Sequence, residues 1–72
     1  MTYTPVTKKQ KELLDYLRVY IDKWGFAPTY KEIGVAFNGL TEASIWGRLQ
    51  NLQRAGRIKI YFNRPRGIEI LT

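Results

Sequence analysis

The side chains able to do chemistry in this 72-residue chain are basic, hydroxyl and amide groups. His and Cys are both absent, so the usual zinc ligands, a thiol nucleophile and an imidazole base are all missing. No pair of carboxylates stands beside an activating neighbour in the way acid–base catalysis requires. An enzyme is therefore not expected, nor a metal, a cofactor or a small-molecule substrate. What remains is recognition of an anion. Twelve Lys and Arg face six Asp and Glu, for a net charge of +6. Residues 1–11 carry Lys8, Lys9 and Lys11 and stand at +3, and residues 12–43 stand at −2. Residues 44–72 hold Arg48, Arg54, Arg57, Lys59, Arg64 and Arg66 against Glu69 and stand at +5. A solvated surface of mixed charge accounts for any one of these cations. Their polarisation toward one third of the chain asks for an anionic partner.

Several classes fall away on the same residues. The absence of Cys removes any disulfide framework and fits a reducing compartment. The first six residues, Met1 to Val6, have neither a basic start nor an apolar stretch of the signal-peptide kind. No apolar run approaches the roughly 20 residues of a membrane helix. Binding to a membrane surface is also not expected, because the cations do not line one amphipathic helix. These features predict a cytoplasmic, soluble protein. A hydrophobic content of 44% is enough for a core, and the length allows one small domain over residues 1–72.

The elements that must position these groups follow from spacing and punctuation. Thr7 and Gln10 form a capping box at the start of a helix over residues 8–24. Its apolar stripe is Leu13, Leu14, Leu17, Tyr20, Ile21 and Trp24, with Gly25 as a left-handed cap. Phe26, Ala27 and Pro28 make an extended joint, since the residue before proline avoids the helical region. Thr29 and Glu32 form a second capping box, opening a short helix that reaches Phe37 and buries Ile33, Ala36 and Phe37. Asn38 and Gly39 stop it. Thr41 caps a third helix, residues 42–55, with Ile45, Leu49 and Leu52 facing inward and Gly56 ending it. The period then changes to two: Ile58, Ile60 and Phe62 alternate with Arg57, Lys59 and Tyr61, and Ile68 and Ile70 flank Glu69. Asn63 to Gly67 supplies a turn carrying Arg64 and Arg66. This order predicts a mainly α fold with a small β-hairpin, a three-helix winged helix-turn-helix with its wing at 57–71.

Thr7-x-x-Gln10 with Glu12 and Leu14, Ala27-Pro28-Thr29 with Glu32-Ile33, Leu49-x-x-Leu52-x-x-x-Gly56, and Arg66-Gly67-Ile68 together resemble the N-terminal DNA-binding domain of LexA repressors. The resemblance runs ungapped from about Thr7 to Gly56 and resumes in the second wing strand. It implies a winged-helix fold of bacterial or phage type that binds duplex DNA sequence-specifically, with the third helix in the major groove. LexA repressors also carry a C-terminal domain with a Ser-Lys pair for self-cleavage, which supplies dimerisation too. Nothing in these residues matches that domain. An excised domain and a small complete regulator both fit.

Base-reading positions in the resembled family fall on Thr41, Ala43, Ser44, Trp46 and Gly47. That arc usually offers Asn and Glu, whereas here it is small or aromatic. In one reading, Ala43, Ser44 and Gly47 let the helix approach the groove closely, Ser44 bonds a base edge, and Trp46 touches a thymine methyl or a sugar. In the other, Trp46 packs at the core edge beneath helix two or the wing, and Gly47 is simply tolerated. A helix-interior Gly costs roughly 1 kcal/mol against Ala, which favours a use for the missing side chain. Gln50, Asn51 and Arg54 complete the outward arc, with Arg54 a phosphate contact or else a solvated cation. Arg48 is equally a groove contact or a cation reaching out from the core edge. Thr29, Tyr30 and Lys31 open helix two, whose positive end suits a phosphate. Arg64 and Arg66 reach the minor groove or the backbone, or else solubilise an exposed turn. Lys8, Lys9 and Lys11 are weaker phosphate candidates. Tyr16, Tyr20, Trp24 and Phe26 have helical spacing and read as core.

Two functions compete on these residues. The first is a transcriptional regulator, a repressor by resemblance, bound to double-stranded DNA. The second is a winged-helix protein-interaction module, an antirepressor or assembly factor, favoured by the apolar Trp46–Gly47 pair. One module of this size reads a short half-site, so a homodimer or tandem sites are expected. Tyr61 and Leu71 on the wing are candidates for a dimer contact.

Overall fold

Residues 7–71 are described by a computed structural model. Met1 to Val6, the segment lacking signal-peptide features, and Thr72 lie outside the described residues.

Each helix starts where a side chain satisfies a free backbone N–H. Before α1 (Lys8–Trp24), the Gln10 N–H donates to Thr7 Oγ1 at 3.2 Å and the Thr7 N–H donates to Gln10 Oε1 at 3.1 Å. Before α2 (Tyr30–Ala36), the Glu32 N–H donates to Thr29 Oγ1 at 3.1 Å, and the Thr29 N–H donates to Glu32 Oε1 at 2.8 Å. Before α3 (Glu42–Arg54), the Ser44 N–H donates to Thr41 Oγ1 at 3.2 Å. Gly25 (φ 81°) and Gly56 (φ 77°) follow the ends of α1 and α3. The turn joining α2 to α3 uses Asn38 (φ 59°) and Gly39 (φ 80°), left-handed conformations that these two residue types tolerate.

After α3, β1 (Ile58–Ile60) and β2 (Ile68–Ile70) pair antiparallel, with Ile58 opposite Ile70 and Ile60 opposite Ile68. Three-residue strands are marginal alone, and this hairpin is tied to α3 where the Ile60 N–H donates to Gln53 Oε1 at 2.8 Å. One apolar cluster unites the elements: Leu13, Leu14 and Leu17 of α1, Ile33 of α2, Ile45, Leu49 and Leu52 of α3, and Ile58, Ile60 and Ile68 of the hairpin. Three helices and an antiparallel wing make a winged helix-turn-helix. Among the described residues, no helix is long and apolar enough to cross a membrane.

Four expected core positions are outside it, among them Phe26, 46% exposed in the joint between α1 and α2. Trp24 is 54% exposed, because the last turn of α1 runs past the packed elements. Ala36 is exposed while Gly34 is buried. The inward face of α2 is displaced by close packing at the turn, where a Cβ on Gly34 would meet Leu40 O at 3.1 Å and Ile45 Cδ1 at 3.5 Å. Phe62 is 63% exposed, since ladder pairing stops at Ile60 and Phe62 already lies in the turn with Asn63 (φ 66°). The third helix also ends one residue earlier than expected, with Ala55 as its cap.

Candidate nucleic-acid interface

The solvent face of α3 follows from its core face. With Ile45, Leu49 and Leu52 buried, Ala43, Ser44, Gly47, Asn51 and Arg54 are exposed, and Trp46, Arg48 and Gln50 are half-buried. A Cβ at Gly47 would meet nothing within 4 Å, so no internal packing requires glycine there. At the N-terminal turn, the Thr41 hydroxyl donates to Ser44 Oγ at 3.0 Å, which holds the serine hydroxyl at the helix start. At the other end, Arg54 Nη1 donates to Asn51 Oδ1 at 3.0 Å.

Trp46 is held from two sides. Its ring lies 6.1 Å from that of Tyr30 on α2 and 5.7 Å from that of Phe62 on the wing. Trp46 thus packs against both suggested neighbours, helix two and the wing, and is half-buried, with part of its ring still exposed. Burial, and secondarily the charge of Glu42, raises the Tyr30 phenol above its ordinary value. This aromatic row forms the floor between helix-turn-helix and wing, in a groove of about 590 Å³. Lys31 and Glu42 line one side, and Tyr61, Asn63 and Arg64 line the other. Arg64 reaches over the Tyr61 ring, its guanidinium carbon 5.4 Å from the centroid.

Of the residues singled out from sequence, Thr29, Tyr30, Lys31, Trp46 and Arg64 come together at this groove. Thr29 is also occupied as the cap of α2. Thr41, Ala43, Ser44 and Gly47 lie along the exposed side of α3, and Gln50, Asn51 and Arg54 continue toward its C-terminus. Lys11 pairs with Asp15 at 2.9 Å. Arg66 departs from expectation. Its guanidinium is joined to Glu32 by Nη1 to Oε1 at 2.8 Å and Nη2 to Oε2 at 3.1 Å. It is thus engaged with the protein's own α2 rather than extended from the wing tip.

Phe62, Tyr61, Asn63 and Glu42 were not singled out from sequence as lining residues. Phe62 sits 16 positions beyond Trp46, so no helical or strand period links them. The one available signal was Asn63, a turn former that stops the alternation just after Phe62. The Glu32 partner of Arg66 left no signal in either segment.

The hydrogen bond from Arg66, then the one from the Thr29 N–H, lowers the Glu32 carboxyl from 4.5 to about 2. A lowered folded-state value means the interaction contributes fully above the unfolded value and is lost as pH falls through the folded one. The fork should therefore persist at neutral pH and come apart as pH drops from about 4.5 toward 2. Carbon NMR of the Glu32 carboxyl will show a midpoint near 2; a midpoint at the ordinary carboxylate value would mean the fork does not form.

Residues 3–67 match the family model described as the LexA DNA binding domain. The chain is 38% identical over 67 residues to the LexA repressor of Bifidobacterium longum strain DJO10A, covering 93% of this chain and 28% of that protein. It is 33% identical over 66 residues to the LexA repressor of Bacillus mycoides strain KBAB4, covering 92% of this chain and 32% of that protein. The chain thus spans about three-tenths of the length of these curated relatives.

Proposed function

Because the chain belongs to the LexA DNA-binding domain family, we propose that it is a sequence-specific, duplex-DNA-binding transcriptional repressor working in the cytoplasm as one winged helix-turn-helix unit. In this reading α3 enters the major groove. Ala43 and Gly47 allow close approach, Ser44 bonds a base edge, and the Trp46 edge meets a thymine methyl or a sugar. Lys31, Arg54 and Arg64 neutralise phosphates on either side. Two copies on a palindromic site, or tandem sites, extend the short half-site that one unit can read.

The observation that carries the reading is the family match to a DNA-binding domain, joined to an exposed, small-residue arc on α3 with Lys31 and Arg64 across the groove beside it. A protein-interaction role gains nothing from the structure, since Trp46 is half-buried between Tyr30 and Phe62 rather than offered as a free patch.

Selection of bound duplexes from a random library, followed by titration of the enriched site across salt, tests this. Three phosphate contacts give a log–log slope near −2.7, hence about a fortyfold loss of affinity between 50 and 200 mM salt. Absence of duplex binding at low salt would overturn the reading, and binding without an enriched motif would remove base recognition from it.

A further inference from the structure

Besides the shared core and the Trp46–Phe62 contact, side-chain hydrogen bonds anchor the wing to the helices at two places. At β1 the anchor is Gln53 of α3, which accepts from the Ile60 N–H. Near the start of β2 the anchor is Arg66, and its contacts outnumber what a solvated wing-tip cation needs. Both oxygens of Glu32 accept from its two terminal nitrogens. Nη1 also donates to Ala27 O at 2.9 Å, and it lies 3.4 Å from the Tyr20 hydroxyl. The guanidinium carbon stands 4.6 Å from the centroid of the Phe26 ring. The Tyr20 O–H in turn donates to Glu32 Oε1 at 3.0 Å. Glu32 is also the carboxylate that closes the capping box of α2 through the Thr29 N–H. One carboxylate thus ties together the start of α2, the end of α1 and the wing.

We propose that Arg66 is a positioning residue that latches the wing to the start of α2 through Glu32, and that the phosphate-seeking cation of the wing is Arg64. The inference rests on the DNA-binding reading for its consequence, and on the contacts above for its geometry. An exposed single ion pair contributes little, but a bidentate fork inside a network is the case in which geometry is set. The Arg66 and Glu32 side chains are 37% and 38% exposed. The latch therefore acts mainly on where the wing points, not on whether the domain folds. With it closed, Phe62 stays against Trp46 and Arg64 stays across the groove from Lys31. Lysine cannot replace the planar fork, although it keeps the charge.

Charge and position separate in one set of measurements. Wild type, Arg66→Lys, Arg66→Ala, Glu32→Gln and Arg64→Ala are titrated with the library-selected duplex from 50 to 200 mM salt. Both Arg66 variants should weaken binding by a similar factor, about three- to tenfold, without changing the salt slope. Glu32→Gln keeps a residue suited to the capping box and removes a negative charge, which by charge alone would tighten binding to DNA. The latch requires it to weaken binding by a comparable factor. Arg64→Ala should flatten the slope by about 0.9. Wild-type affinity in Arg66→Lys with a flatter slope in Arg66→Ala would make Arg66 a phosphate contact and overturn the latch, as would tighter binding by Glu32→Gln.

Amide exchange on the free protein supplies a readout that does not need DNA. The Tyr61 N–H, bonded to Gly67 O, should exchange faster in Arg66→Lys and Glu32→Gln, while Leu17 in α1 keeps its rate. Unchanged Tyr61 exchange would overturn the latch. If the wild type binds no duplex, the functional reading falls and amide exchange still decides the latch.

Discussion

Leu49→Ala will leave the domain largely unfolded at 37 °C. Leu49 is fully buried and belongs to the cluster shared by all three helices and the hairpin. Truncating such a leucine removes apolar contact and leaves a cavity, at a cost of about 2–5 kcal/mol. A domain of this size without disulfide or metal has on the order of 3–5 kcal/mol from its core. The loss is therefore comparable to the whole. In a far-UV circular dichroism melt the midpoint should fall by ten degrees or more, at about 4–8 °C per kcal/mol. A midpoint within a few degrees of the parent would mean that α3 is not seated on this core.

Gly67→Ala will open the wing while the three helices remain folded. An added Cβ would collide with the Tyr61 carbonyl oxygen and sit 3.1 Å from Arg64 Cβ and 3.2 Å from Arg64 O. The principal obstacle is backbone and cannot rotate away. The Gly67 carbonyl also accepts the Tyr61 N–H at 2.7 Å, so relief of the collision costs a hairpin hydrogen bond beside the Ile60–Ile68 pair. Overpacking of this kind destabilises by about 1–3 kcal/mol. The neighbouring Arg66 fork must shift with the turn, and duplex affinity should fall by roughly ten- to a hundredfold if the binding free energy moves by a similar amount. Gel-shift titration beside a melt checks both parts. Unchanged affinity would show that the wing takes no part in binding, and loss of helical signal at room temperature would show that the helices depend on it.

Most of the scaffold was legible because it is written at short range. All three helix starts rest on a threonine and the residue three places on, and their periodic leucines and isoleucines, Ile21 apart, are buried. The errors came where a local period outlasted its element. Trp24 keeps the α1 spacing, but the helix has passed the core by then. Phe62 keeps the strand alternation, but pairing has ended at Ile60 and Phe62 lies in the turn with Asn63. Ala36 fits an inward position, yet close approach of the α2–α3 turn buries Gly34 instead.

The candidate interface was legible in outline and not in detail. Spacing alone divided α3 into buried and exposed sides, since Ile45, Leu49 and Leu52 dictate which residues point outward. It could not name the residues packed against Trp46. Those are Tyr30 and Phe62, which converge on its ring from separate elements. Arg64 and Arg66 are two positions apart with the same charge, yet one lies across a groove and the other in a fork with α2.

By itself, then, the sequence determined the order of elements, their N-terminal caps, most of the core and the polarity of charge, because these depend on residues within about one helical turn or strand repeat of each other. The tertiary structure alone decided the partners of Trp46, the groove between helix and wing, and the engagement of Arg66. Those contacts join residues as far as 34 and 46 positions apart, and they exist only once the helices have packed and brought the wing back to the start of α2.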